Sequence, residues 1–208
     1  PKLLLTLSRF GIELGFGDNS VKEVCKKSNI SPSFFLLVCN LYLYPDFMPS
    51  RDDIKMVDVS TLLSYLSESH KYYVEERLPH IEFHLKRIID ACPDKFGNTI
   101  NRFFSEYKDE VSNHFKYEEN VVFPYINSLY NKSQKPEFTI SEFKSNHSNI
   151  EDKLNDLMNI LIKYLPSNIF PKERVEISID IMEITSDLNC HTLVEERILV
   201  PLVEMMED

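Results

Sequence analysis

Apolar and polar residues alternate with a helical period along most of this chain. In four long stretches, about 58–91, 99–130, 141–165 and 172–206, apolar residues recur every three or four positions. Such stripes are typical of amphipathic helices that bury one face. The stretches are joined by short connections that carry proline or polar residues. The pattern therefore predicts an all-α, up-down-up-down four-helix bundle over residues 58–208.

The N-terminal part of the chain predicts a small helical unit that precedes the bundle. Two shorter apolar stretches, 20–27 and 33–44, have helical character, and a Pro-containing polar stretch at 45–53 predicts a linker. We therefore expect one small domain over residues 1–50 and the bundle after it.

Six polar residues interrupt the apolar faces of the four long helices. An isolated histidine in such a position is usually a hydrogen-bonded core residue, but buried polar groups without a partner are costly. Six of them together call for a common partner, and a bound metal ion would supply one. The six residues are His70, His114, Glu118, His147, His191 and Glu195.

The second and fourth helices carry the same motif. The segments 114–124 and 191–201 both read H-x-x-x-E-E, then an apolar stretch, then proline. Histidine and glutamate four residues apart stand on one face of a helix, about one turn from each other. One such pair is a weak signal because glutamate is common, whereas two matched copies on apolar faces favour a shared site.

The geometry of antiparallel hairpins predicts that these residues meet. Residues equidistant from a loop centre lie at the same height in a hairpin. Reflected across the first loop, Glu118 falls at about residue 71, beside His70. Reflected across the last loop, His147 falls at about residue 190, beside His191. We therefore expect all six groups in one layer of the bundle.

The two remaining histidines fall outside that layer. His84 lies about 21 Å from His70 along a helix axis at 1.5 Å per residue, and His80 points away from the face of His70. We interpret both as bystanders. Glu151, four residues after His147, is an outside candidate for a further ligand.

Four imidazoles and two carboxylates exceed the four ligands of a tetrahedral zinc site. They suit two metal ions with bridging glutamates and open positions for a small ligand. Ferritin-like di-iron proteins use E-x-x-H instead, and no histidine here has a glutamate three residues before it.

Three tyrosines flank the predicted layer and could donate hydrogen bonds there, although tyrosine at helical spacing is more often core: Tyr72, Tyr73 and Tyr117.

With these residues the chain resembles the hemerythrin-like di-iron domain, and within it the iron–sulfur cluster repair (RIC, or ScdA-like) proteins. The dipeptide Leu78-Pro79 after His70, the paired glutamates and the closing prolines carry the closer likeness. The resemblance implies two iron ions bridged by Glu118, Glu195 and an oxo or hydroxo group. It also implies four terminal ligands: His70, His114, His147 and His191.

The N-terminal unit departs from the repair proteins at one point. Their small domain carries adjacent cysteines before a glycine, where this chain has Leu14-Gly15. Two functions therefore stay open. The first is repair of iron–sulfur clusters damaged by nitric oxide or oxidative stress, with damaged iron–sulfur proteins as partners. The second is a module that binds or senses O₂ or NO without repair. Both favour a metal-binding protein over a turnover enzyme.

Composition and charge narrow the remaining classes of function and binding partner. The 208 residues include 33 acidic and 23 basic ones, for a net charge of −10, which argues against nucleic-acid and anionic-membrane binding. A helix-turn-helix over 20–44 is disfavoured because 33–44 contains no Lys or Arg. That apolar hairpin could instead form a homodimer contact. The sequence has no evident catalytic triad or phosphate loop, and four cysteines without a C-x-x-C pair predict a cytoplasmic protein.

Overall fold

The computed structural model describes residues 2–133, 138–146, 150 and 152–208. Throughout these residues the regular structure is helical and no strand occurs, so the all-α prediction is confirmed. None of the described helices combines the length and hydropathy of a membrane span. The α-helices are α1 Lys2–Arg9, α2 Val21–Lys27, α3 Pro32–Leu43, α4 Arg51–Lys55, α5 Val59–Lys71, α6 Leu78–Ala91, α7 Asp94–Tyr117, α8 Phe123–Tyr130, α9 Ile140–Asn146, α10 Asp152–Asn159, α11 Pro171–Val194 and α12 Val200–Glu207.

Wider π-helical turns interrupt the long helices. They are π1 Tyr72–Arg77, π2 Glu118–Val122, π3 Ile160–Tyr164 and π4 Glu195–Leu199. The predicted first, second and fourth helices correspond to α5–π1–α6, α7–π2–α8 and α11–π4–α12. The predicted third helix corresponds to α9, α10 and π3, with residues 147–149 and 151 outside the described residues.

Prolines explain three of these π turns. Pro79, Pro124 and Pro201 lie in the first turn of α6, α8 and α12, directly after π1, π2 and π4. Proline has no N–H to donate, and its ring clashes with the carbonyl four residues earlier in a regular α-helix. A wider turn ahead of the proline relieves that clash. Three of the four predicted long helices therefore contain a π turn ahead of a proline.

The short N-terminal helices begin at well-formed caps. The Ser20 hydroxyl accepts from the Glu23 N–H and the Glu23 carboxylate accepts from the Ser20 N–H, which forms a capping box at α2. Ser50 and Asp53 form a second capping box at α4, inside the stretch predicted as a linker. The helix α1 was not predicted at all. The domain boundary near residue 50 stays a prediction.

One compact unit comprises residues 1–69, 119–147 and 190–208. In it, the Phe10 ring lies 5.4 Å from Phe34 and 4.6 Å from Tyr65 on α5. The buried Tyr42 hydroxyl accepts from Arg9 Nη1 at 2.6 Å and from the Tyr65 hydroxyl at 3.1 Å. The N-terminal helices α1 and α3 therefore share an aromatic core with α5.

The other compact unit comprises residues 70–118 and 148–189. Its hydrophobic core is built from π1, α6, α7, α10, π3 and α11. Helix α7 begins at Asp94, ahead of the predicted start at 99, with Gly97 in its first turns. A Cβ on Gly97 would lie 2.9 Å from the carbonyl oxygen of Ile89. Glycine is thus required here because α6 and α7 approach closely at their connection.

Candidate metal centre

The first copy of the repeated motif places a fully buried carboxylate between two imidazoles. Glu118 opens π2 at the end of α7, and its side chain has no solvent-exposed area. His70 Nε2 lies 3.0 Å from one carboxylate oxygen, Oε2. His114 Nε2 lies 3.0 Å from the other, Oε1. Each oxygen of Glu118 therefore faces a different imidazole.

Aromatic rings hold His70 in this orientation. The Phe115 ring stacks on the His70 ring with centroids 4.2 Å apart and planes 14° from parallel. Tyr73 stacks on Phe115 at 5.8 Å, and both side chains are buried. Phe115 thus lies between the rings of Tyr73 and His70. This packing restricts rotation of the His70 imidazole, which fixes the direction in which its nitrogen points.

The second copy repeats the histidine–glutamate pair in a buried setting. His191 Nε2 on α11 lies 3.3 Å from Glu195 Oε1, and Glu195 opens π4. Both side chains are almost completely buried, at 2% and 1% exposed. Burial of a carboxylate such as that of Glu195 is costly unless another group pairs with it.

The structure groups four of the six predicted ligands directly. One ligand atom from each of His70, Glu118, His191 and Glu195 lies within 4.8 Å of the others, and all four residues are buried. His114, 3.0 Å from Glu118, adjoins this group. His147, the sixth predicted ligand, and Glu151, the outside candidate, lie outside the described residues.

The distances within the pairs fit ligands of a common metal ion. With metal–ligand bonds of about 2.1 Å, two neighbouring ligand atoms on one ion stand roughly 3.0 to 3.4 Å apart. The observed nitrogen–oxygen distances are 3.0, 3.0 and 3.3 Å. Imidazole nitrogen and carboxylate oxygen together suit divalent first-row transition metals. The buried cluster therefore fits a metal-binding site.

The predicted bystander histidines lie outside the buried group. His80 Nε2 lies 3.2 Å from Asp180 Oδ2 at a partly exposed position. Of the flanking tyrosines, Tyr73 is fully buried, whereas Tyr72 and Tyr117 are half-buried.

The π turns at the site were missed by sequence reasoning. Each motif glutamate is the first residue of a π segment. An extra residue in one turn shifts the following side chains by about 100° around the helix axis. The closing prolines of the motif were the signal for these turns, because a proline six residues after each glutamate cannot continue a regular α-helix.

Comparison with known families agrees with the site. A family model described as the hemerythrin HHE cation binding domain matches residues 62–203, a range that contains all six predicted ligands. No curated protein and no solved structure gives a significant match to the chain.

Proposed function

Since the chain belongs to the hemerythrin HHE cation-binding family, we propose that it is a non-haem di-iron protein. The observation that supports this most is the Glu118 carboxylate, which offers one oxygen toward His70 and the other toward His114. A carboxylate that bridges two ions uses its oxygens in this way, one for each ion. The six proposed ligands are His70, His114, Glu118, His147, His191 and Glu195.

Iron, when bound, would supply a redox couple and open coordination positions for a small ligand such as O₂ or NO. The protein supplies the charge balance and the exclusion of water at the site. Glu118 and Glu195 offset part of the positive charge of two cations in a site that water hardly reaches. Among the described residues of the site, the side chains are 10% exposed or less, and His114 is the most exposed of these. Such burial favours a diatomic ligand over a larger one.

We further propose that the centre serves the repair of iron–sulfur clusters damaged by nitric oxide or oxidative stress. The support is the sequence likeness to the repair proteins around His70 and in the two paired-glutamate motifs. The partners would then be damaged iron–sulfur proteins. The test is to incubate the iron-loaded protein with a cluster enzyme inactivated by nitric oxide and to follow the return of its activity.

The matched control in this assay is Glu118→Ala, which removes the proposed bridge. Recovery with the wild-type protein and none with the variant is the expected result. A wild-type protein that carries two irons and never restores the enzyme would refute the repair function while leaving the di-iron proposal intact.

One observation favours the second candidate, an O₂- or NO-binding sensor without repair activity. Leu14 occupies the place of a cysteine of the repair proteins, and it is 71% exposed in a loop where Gly15 has a φ of 92°. This loop offers no thiol for chemistry on a partner. Stopped-flow spectra of the reduced protein mixed with each gas discriminate the two functions, because a sensor must bind its gas reversibly.

A further inference from the structure

The two histidines outside the buried cluster form a pair of their own on α6. His80 and His84 are four residues apart, and their ring centroids lie 4.6 Å from each other at an interplanar angle of 62°. The His80 side chain is 45% exposed, and that of His84 is half-buried. Both rings therefore lie on one face of the helix, within reach of solvent.

The spacing of the rings suits joint binding of one ion. A metal–nitrogen bond of about 2.1 Å places the centre of an imidazole ring roughly 3.2 Å from the ion. Two such rings at neighbouring coordination positions then have centres about 4.5 to 5.2 Å apart. The observed 4.6 Å falls in that range. Histidines four residues apart on a helix are also the spacing used by H-E-x-x-H zinc sites.

A carboxylate from α11 orients the first ring. Asp180 Oδ2 lies 3.2 Å from His80 Nε2, which leaves Nδ1 as the nitrogen of His80 for an ion. A carboxylate hydrogen-bonded to the second nitrogen of a metal-binding histidine fixes its tautomer and increases its basicity. Two carboxylates offset the charge of the nearby Arg77, whose Nη2 lies 3.5 Å from Asp180 Oδ1 and 3.9 Å from Glu183 Oε2.

We propose that His80 and His84 form a second, peripheral site for one divalent transition-metal ion, with Asp180 as the residue that positions His80. The site supplies two nitrogen ligands, and water completes the coordination. Nitrogen-rich, open sites of this kind bind Cu²⁺ most tightly in the first-row series, ahead of Ni²⁺ and Zn²⁺. Its chemistry differs from that of the buried cluster, where carboxylates are shared among imidazoles.

The test is titration of the iron-loaded protein with Cu²⁺, followed by calorimetry and by electron paramagnetic resonance. The wild-type protein is expected to take up one Cu²⁺ with hyperfine coupling to two imidazole nitrogens. His84→Ala should remove the coupling to the second nitrogen and weaken binding about tenfold or more, and Asp180→Asn should weaken it by about 10- to 100-fold. Lys86→Ala, an exposed change on the same helix, is the matched control and should bind as the wild type does.

A second arm separates this site from the buried cluster. The double variant His70→Ala/His191→Ala should retain the Cu²⁺ signal, because it leaves α6 unchanged, and circular dichroism reports whether it folds. If it unfolds, His84→Ala alone decides the question. Unchanged Cu²⁺ affinity and an unchanged spectrum in His84→Ala would overturn the proposal, as would uptake that disappears only when the buried cluster is changed.

Discussion

The two copies of the H-x-x-x-E-E…P motif have the same motif residues at the same spacing, but their surroundings differ. In the first copy, Glu118 lies 3.0 Å from His114 and 3.0 Å from His70. In the second, Glu195 lies 3.3 Å from His191, and this histidine is 2% exposed against 10% for His114. Both glutamates open a π segment. The motif thus sets the position of the ligands on the helix, and their neighbours determine access and orientation.

The largest expected effect comes from removal of either glutamate. Glu118→Ala and Glu195→Ala should each lower the iron content of the purified protein about tenfold or more, because a bridging carboxylate holds two ions at once. Metal analysis of both variants, beside wild type prepared in the same way, measures the effect. If Glu118→Ala loses its iron while Glu195→Ala keeps all of it, the two copies are not equivalent and Glu195 is not a bridge.

The residue that follows the motif histidine differs between the two copies, and this difference allows a test of whether Phe115 orients His70. Phe115 stacks on His70, whereas the second copy has Thr192 at this place. Phe115→Thr should weaken iron binding about tenfold and lower the free energy of unfolding by about 2 to 4 kcal/mol. Competition with a chelator gives the first quantity, and denaturation of the iron-free protein gives the second.

Phe104→Thr is the matched control for that substitution. Phe104 is buried in the hydrophobic core on the same helix, α7. We expect a similar loss of stability from it and little change in iron affinity. Equal iron affinity in both variants would show that the ring stacked on His70 contributes packing alone.

A smaller effect is expected from the prolines that close the two motifs. Pro124→Ala and Pro201→Ala restore a backbone N–H and remove the ring that prevents a regular α-helical turn, a difference worth up to about 3 kcal/mol in a helix interior. Each variant should gain stability without iron and bind iron more weakly, because relaxation of the π turn rotates the glutamate. Higher stability combined with unchanged iron affinity would mean that the π turns do not orient the ligands.

The smallest effect on iron is expected from a change in the scaffold. Gly97→Ala places a methyl group 2.9 Å from the Ile89 carbonyl oxygen, which should lower the free energy of unfolding by about 1 to 3 kcal/mol. The iron content of the folded fraction should equal that of the wild-type protein. Loss of iron in this variant would contradict the expectation that a change at the α6–α7 connection leaves the site unaffected.

The sequence predicted the helices well where apolar periodicity was strong. Over their described residues, the long helices and the shorter α2 and α3 lie where the apolar stripes indicated. It failed where a local rule was overridden by contacts between helices. Helix α7 begins at Asp94, ahead of the predicted start at 99, and it includes Gly97, where the close approach of the Ile89 carbonyl oxygen leaves no room for a Cβ. Helix α1 was missed because it spans only eight residues, Lys2–Arg9, and its buried positions include the polar Thr6 and Arg9.

The same physics led to the six candidate ligands, whose role as metal ligands stays a prediction, and it missed two features of their surroundings. Buried polar residues in apolar stripes, and their equal height in antiparallel hairpins, indicated His70, Glu118, His191 and Glu195, which the structure groups together. Periodicity could not show the π turns, since it assumes a constant 3.6 residues per turn. Nor could it show that Phe115 stacks on His70, because a contact between side chains of different helices leaves no repeat in the sequence.

The most direct test of the di-iron proposal is metal analysis combined with a Mössbauer spectrum of protein prepared without oxygen and then oxidised. We predict about two iron ions per chain, coupled to each other, as expected for a carboxylate-bridged pair. A single ion, or zinc in a mononuclear site, would contradict the assignment of Glu118 and Glu195 as bridges.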